Sequence, residues 1–423
     1  MHAYLDLLRR NRDMRMIWLA GVVSLIGDWF SQVVLMALVS KYNPGSEGVA
    51  ISLLILARFV PTLLFTPTAG VLLDRMNRRS LLVWSNYLRA VVGVMYLFAV
   101  ANPELQALIF IGTAVQATLG TVYEPGQAAL VSNVCAGDDL ITGNTLINAT
   151  WSAALAVGGA LGGIAAAAFG TMSALTVDVL TFVAAGWLMG QVHGYVHVPA
   201  SARPADQPAQ DTSLTEGLRY IRANPSTLAT LLVKFGGSLG NVDTAMTIFA
   251  TQIFVMGTDG LLSVGLLYTA FGIGSIIGPL LTNRLSDGTD GALRGWILAG
   301  FAAQIVGWLV LGWAGTIVVV CIGLALRGMG GSVNWTYSSI LLQRSTPDQY
   351  RGRVFAMDMV FFTVATIFAT VVQGQLIDTL GKENIGIIAV GIAVISTAPL
   401  VGWGWAVRRW RARSAQASLP PTR

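Results

Sequence analysis

The sequence predicts an all-α membrane protein: twelve transmembrane helices in two pseudo-symmetric six-helix bundles. Apolar stretches of roughly 20 to 30 residues recur through the chain, and a helix needs about 20 to cross the hydrocarbon, twice the length of a barrel strand. Most Lys and Arg fall in every second gap between these stretches, the asymmetry of cytoplasmic loops. Signals in the first half recur in the second at nearly equal offsets. Ser24-Leu25-Ile26-Gly27-Asp28 lies on Gly237-Ser238-Leu239-Gly240-Asn241, and Gln116 and Gly120 lie on Arg327 and Gly331, as in a duplicated unit.

The expected spans run over 16–40, 48–73, 81–101, 105–131, 144–169, 171–193, 226–256, 261–283, 292–313, 315–342, 354–378 and 385–407. Arg9, Arg10, Arg12 and Arg15 precede the first. Arg75, Arg78 and Arg79 follow the second, Arg344, Arg351 and Arg353 follow the tenth, and the alternate gaps hold only Lys41 and Lys382. Both termini are therefore expected in the cytoplasm, with the chain in a bacterial cytoplasmic (inner) membrane. Between spans 6 and 7, Pro199, Pro204 and Pro208 stand among Ala, Gln and Asp, a composition that cannot bury a core. Then Ser213-Leu214-Thr215-Glu216 has capping-box spacing, and Leu214, Leu218 and Ile221 share one face up to Asn224-Pro225, which predicts a short amphipathic surface helix. The expected organisation is an N-terminal bundle over 1–193, a cytoplasmic linker over 194–225, and a C-terminal bundle with its basic tail over 226–423.

Several function classes are set aside. The net charge of +5 is spread over short loops, which topology explains better than nucleic-acid binding does. The first span has no small-residue cleavage site and exceeds a signal-peptide core, so it is read as retained. Cys135 and Cys321 are expected near opposite membrane faces, which argues against a disulfide. His193 and His197 lack further ligands nearby for a metal. Only Lys382 follows a glycine, and Leu376 stands where a phosphate-binding loop needs its first glycine. No spacing joins a nucleophile, a base and an orienting group, so an enzyme is not expected.

At the end of span 2 stands Gly70-Val71-Leu72-Leu73-Asp74-Arg75-Met76-Asn77-Arg78-Arg79. It resembles the loop 2–3 signature of the major facilitator superfamily, with Asn77 at the usual second glycine, a residue that tolerates the left-handed conformation. The resemblance implies that Gly70 lets helices approach closely. It also implies that Asp74 faces the N-terminal end of span 11 beside Arg351-Gly352-Arg353, in a gate that closes the cytoplasmic side. Gly158-Gly159-Ala160-Leu161-Gly162-Gly163 in span 5 resembles the antiporter signature, with Gly159 where proline is usual; close packing by small residues is the plainer reading. Val177-Asp178-Val179-Leu180-Thr181-Phe182, Glu216-Gly217-Leu218-Arg219-Tyr220, Phe271-Gly272-Ile273-Gly274-Ser275 and Pro347-Asp348-Gln349-Tyr350-Arg351-Gly352-Arg353-Val354 extend the likeness. Together they resemble the drug-proton antiporter branch, with its macrolide, tetracycline and enterobactin exporters, and more distantly lysophospholipid transporters. Gln116 occupies the span 4 position where many antiporters carry arginine, so that proton relay is not carried over.

In that fold spans 1, 4, 7 and 10 surround the cavity, and each has a polar face here. Span 1 offers Ser24, Asp28 and Gln32; span 4 Gln116, Tyr123 and Glu124; span 7 Lys234, Asn241 and Asp243; span 10 Arg327, Asn334 and Trp335. Intramembrane charges mark pathways or buried pairs. Depth along the helices suggests the pairs Asp28 with Arg58 and Asp243 with Arg327. Asp28 reads either as a coupling or cation-binding carboxylate or as a paired structural acid, and Glu124 as a binding or a gating acid. Lys234 joins the gating set of Gly70, Asp74, Arg75, Arg78, Arg79, Arg351 and Arg353. Asp178 is expected to be structural. Tyr123, Trp335 and Tyr337 would offer flat apolar surface to a substrate.

The expected function is alternating-access export of small amphipathic, lipophilic or cationic compounds by a monomer in the lipid bilayer. It would need no cofactor and would be driven by protons. A lysophospholipid flippase, or a sensor or scaffold without turnover, are the alternatives.

Overall fold

The computed structural model describes residues 2–193 and 214–417. The proline-bearing linker, His197 and Ser213 of the expected capping box lie outside them. The described residues are helices joined by turns: α1 (His2–Arg10), α2 (Arg12–Tyr42), α3 (Glu47–Arg75), α4 (Arg78–Ala101), α5 (Ala107–Gly120), α6 (Tyr123–Val134), α7 (Asp138–Phe169), α8 (Thr171–Gly190), α9 (Leu214–Ala223), α10 (Pro225–Ser238), α11 (Asp243–Ile248), α12 (Leu261–Leu285), α13 (Asp290–Gly312), α14 (Ile317–Ser345), α15 (Asp348–Leu380), α16 (Ile385–Ile395) and α17 (Thr397–Ala417). The protein is an all-α, multi-spanning membrane protein. Among the described residues, 10 candidate spans are long and apolar enough to cross a membrane. They leave out α7 and the seventh expected span, which is broken: α10 stops at Ser238, α11 starts at Asp243, and a π turn covers Phe249–Ile253.

Local chemistry sets the ends. Asn11 and Thr289 accept from the backbone N–H groups of Met14 and Ala292, capping α2 and α13. Asn77 does the same for α4 by accepting from Ser80 N–H at 3.1 Å. Its φ of −65° is extended, so the turn survives the loss of glycine through capping and not through left-handed backbone. The break between α5 and α6, at Thr121 and Val122, falls just before Pro125, because proline cannot donate back to the previous turn. Pro399 stands likewise just after the α16–α17 break.

The chain divides into two compact units, Met1–Gln207 with Met246–Thr269, and Pro208–Ala245 with Ala270–Arg423. In the first, α2 packs on α7 and α8, α4 on α8 and α5, and α3 on α5. Leu7, Met14, Ile17, Leu82, Leu130 and Met189 form its largest described core. In the second, α13 lies against α14 and α16, and α10 against α14 and α15. Glycine permits the α13–α14 approach: a Cβ on Gly307 would come 2.7 Å from the Gly323 carbonyl oxygen. Large apolar side chains remain exposed, among them Trp84, Val91, Phe169, Val401 and Trp405. Such a surface is suited to lipid.

Candidate functional site

In the first unit Asp28, midway along α2, forms an ion pair with Arg89 of α4. Arg89 also reaches the Ser24 hydroxyl at 3.3 Å and lies 4.1 Å from the centre of the Phe182 ring. The arginine side chain is 7% exposed and the carboxylate 29%, so one end of the pair is sealed and the other is open. The expected Asp28–Arg58 pair is not formed. Equal depth ignores direction around the helix: α2 lays this face toward α4 and α8, and Arg58 on α3 instead donates to the Gln32 amide oxygen. Gln32 in turn donates to Tyr268 Oη at 3.4 Å, and Tyr268 packs edge-on against Trp29.

Glu124 is exposed in the first turn of α6 and feels the charges of Arg58 and Asp28. Asp28, Gln32, Arg58 and Glu124 thus form a linked polar group in this unit. Gln116 stands apart, buried and accepting from Tyr96 Oη at 2.6 Å. Tyr123 packs beside the main core, with its buried hydroxyl unpartnered among the described residues.

In the second unit Lys234 of α10 pairs with Asp358 of α15, the two side chains 2% and 0% exposed. The Trp335 ring covers the ammonium at 4.1 Å and is itself met edge-on by Phe362. A Lys, a carboxylate and an indole interlock three helices here. Arg327 donates to the carbonyls of Gly237 at 2.6 Å and Gly240 at 2.6 Å. It therefore satisfies the groups freed where α10 ends, and Asp243 also acts on it through charge. Asn241 donates to Thr370 Oγ1 at 2.8 Å. Asn334 is buried without a hydrogen-bond partner for its amide among the described residues. Tyr337 is core, bonded to Thr282 at 2.7 Å, and offers no surface to a substrate.

The side chains at 70 and 74 lie outside the described residues. Arg75 is exposed at the end of α3. Arg78 reaches the Leu73 carbonyl and the Asn133 side chain, each at 3.3 Å, and Arg79 donates to the Gly190 carbonyl. These arginines tie the loop to neighbouring helix ends within the first unit. Arg351 is exposed in the first turn of α15. Arg353 pairs with Glu216 at 2.8 Å, where Tyr220 stacks on Tyr350. Glu216 therefore docks α9 onto α15.

Sequence reasoning gave Arg89 no partner and passed over Asp358. A signal existed for both, since any charge deep in an apolar run needs a counter-charge. Asp358 escaped because the span was expected to begin at 354, whereas α15 begins at Asp348, almost three turns before it.

The family model of the Major Facilitator Superfamily matches residues 17–289 and 235–422. An uncharacterized transporter of that superfamily, YfiS of Bacillus subtilis (strain 168), is 22% identical over 381 residues, 89% of each chain. The putative bacilysin exporter BacE of Bacillus amyloliquefaciens is 23% identical over 340 residues, covering 79% of this chain and 81% of its own. Among solved structures, the peptide transporter PepTSo of the POT family superposes with a TM-score of 0.73 at 12% identity, over 95% of this chain and 99% of that one. That likeness concerns the fold. With the family match spanning nearly the whole chain, this protein belongs to the Major Facilitator Superfamily and is a secondary transporter, not an enzyme, moving small molecules across a membrane.

Proposed function

We propose that the chain is a proton-coupled exporter of small lipophilic or cationic compounds working by alternating access. The observation that carries this reading is the Asp28 carboxylate, held by Arg89 within an apolar helix yet 29% exposed. A carboxylate so placed takes a proton or a cationic group in turn, and each favours a different conformation. Export as the direction is supported by the relative named a putative bacilysin exporter. Twelve spans follow if α7 and the broken run from Pro225 to Ile253 also cross the bilayer. The two bundles would be 1–193 and 226–423, joined by the linker over 194–225, with both termini in the cytoplasm of a bacterial inner membrane.

Purified protein in vesicles with an imposed pH gradient, offered a panel of lipophilic cations and lysophospholipids, tests this. Cation export should follow the proton gradient. Lysophospholipid transfer alone would favour the flippase, and export indifferent to the gradient would remove the coupling. In the loop bearing the family signature, Asp74→Ala should slow turnover and leave substrate affinity unchanged; unchanged turnover would sink its gating role.

A further inference from the structure

Behind the Asp28–Arg89 pair lies a second carboxyl, Asp178 of α8. It is 0% exposed, and neither of its oxygens has a hydrogen-bond partner among the described residues. The carboxyl sits where α2 and α4 approach α8: a Cβ on Gly27 would come 2.8 Å from one oxygen, and one on Gly93 would come 3.6 Å from the other. Gly27 adjoins Asp28, and Gly93 is one turn beyond Arg89. Of the nearby hydroxyls, Thr181 donates to the carbonyl of Asp178 itself, while Ser31 donates to the Gly27 and Asp28 carbonyls and also lies within reach of the Asp178 carboxyl.

The charges facing Asp178 are Asp28 from α2 and Arg89 from α4. Tyr96 of α4 is also near, its phenol engaged with Gln116. The α7 stretch over 140–169 carries no ionisable side chain, and α8 carries only Asp178. Two carboxyls thus share one guanidinium. An ionised acid without a partner is too costly in such surroundings, so the cluster is neutral when it holds a proton. Arg89 also has an idle donor: its Nε is buried without a partner among the described residues.

We propose that Asp178 stores the coupling proton, and that Arg89 passes between the two carboxylates as that proton comes and goes. This rests on the proton-coupled reading above and names the residue that carries the proton. With Asp178 protonated, Arg89 holds Asp28. When the O–H bond of Asp178 breaks, the proton leaves through water on the open side of Asp28, and the electron pair stays on the carboxylate. Arg89 turns to that new charge, and Asp28 is freed to take the cationic group of a substrate. Reprotonation of Asp178 returns Arg89 to Asp28 and expels the cation. A proton is exchanged for a monovalent cation, so the cluster is neutral before and after the exchange and carries one negative charge between them, which draws the cation in.

Infrared titration of the purified protein in lipid tests storage without any ligand. At neutral pH a protonated-carboxyl stretch should be present in the wild type and should vanish in Asp178→Asn; in Asp28→Asn it should need a lower pH, because Arg89 is then free to pair with Asp178. Because an amide closely matches a protonated carboxyl, Asp178→Asn should fold with an unchanged melting temperature and, with Arg89 kept on Asp28, bind tetraphenylphosphonium more weakly. Its binding in weakly buffered solution should release a proton from the wild type and none from Asp178→Asn. Lack of a stretch assignable to Asp178, with export still proton-driven, overturns the proposal while leaving coupled export standing. A stretch that is present, with no proton released and export indifferent to pH, overturns both. Undiminished proton release from Asp178→Asn overturns the role of Asp178 alone.

Discussion

Each unit buries an ion pair within its spans, and the two are built differently. Arg89 and Asp28 are 7% and 29% exposed, with the buried acid Asp178 behind them; Lys234 and Asp358 are 2% and 0% exposed beneath Trp335. A pair open at its carboxylate can exchange its partner for a proton or a cation. A pair closed at both ends can do so only if the surrounding helices separate. On the proposed function, the contrast separates charge kept for chemistry from charge kept for assembly, although the residue types are nearly the same.

The largest effect expected is at the closed pair. Lys234→Met alone leaves Asp358 buried without its partner and should lower stability by about 3–5 kcal/mol in thermal unfolding. Adding Asp358→Leu should recover most of that loss and retain export, because packed apolar groups replace a buried pair at little cost. If the double variant folds but does not export, Lys234 belongs to the transport cycle and the contrast fails.

Asp28→Asn should cost less, about 1–3 kcal/mol, because Arg89 keeps Ser24 and the Phe182 face. Proton-driven export should nevertheless be abolished. Export at the wild-type rate in vesicles would remove Asp28 from the mechanism.

The same contrast recurs in two turns, one built on neutral groups and one on charge. Asn77 caps α4 with an amide, so Asn77→Ala should destabilise by about 1 kcal/mol and Asn77→Gly by only a few tenths. Equal losses would point to some role other than capping. Before α13, the backbone N–H and hydroxyl of Thr289 both donate to Asp287 and hold its carboxyl below the usual range. A lowered folded value contributes stability above the ordinary aspartate pKa that is lost as pH falls through the folded value. The small melting difference between wild type and Asp287→Asn should therefore be present at neutral pH and vanish in acid.

What could be read in the sequence follows from which physical quantity was one-dimensional. Length and apolarity identified helices such as α2, α13 and α14 within a few residues, because crossing hydrocarbon constrains every residue of a run. Depth was also legible, and it placed Asp28 and Arg58 level. Direction around the helix was not, so Arg89 went unmatched and Asp178 was read as structural. Asn77 was flagged for the right turn with the wrong mechanism, since capping and left-handed backbone favour the same residue type. Gln116, expected on a cavity face, is fastened to Tyr96, a contact that spacing along one helix cannot reveal.

Where α10 ends, the carbonyls of Gly237 and Gly240 are gripped by Arg327. Guanidinium keeps its charge at any physiological pH. In a carrier whose working acids gain and lose protons, this joint does not slacken when they do. On the proposed proton-coupled cycle it would serve as a fulcrum: titration elsewhere would move the load, and Arg327 would keep the pivot in place.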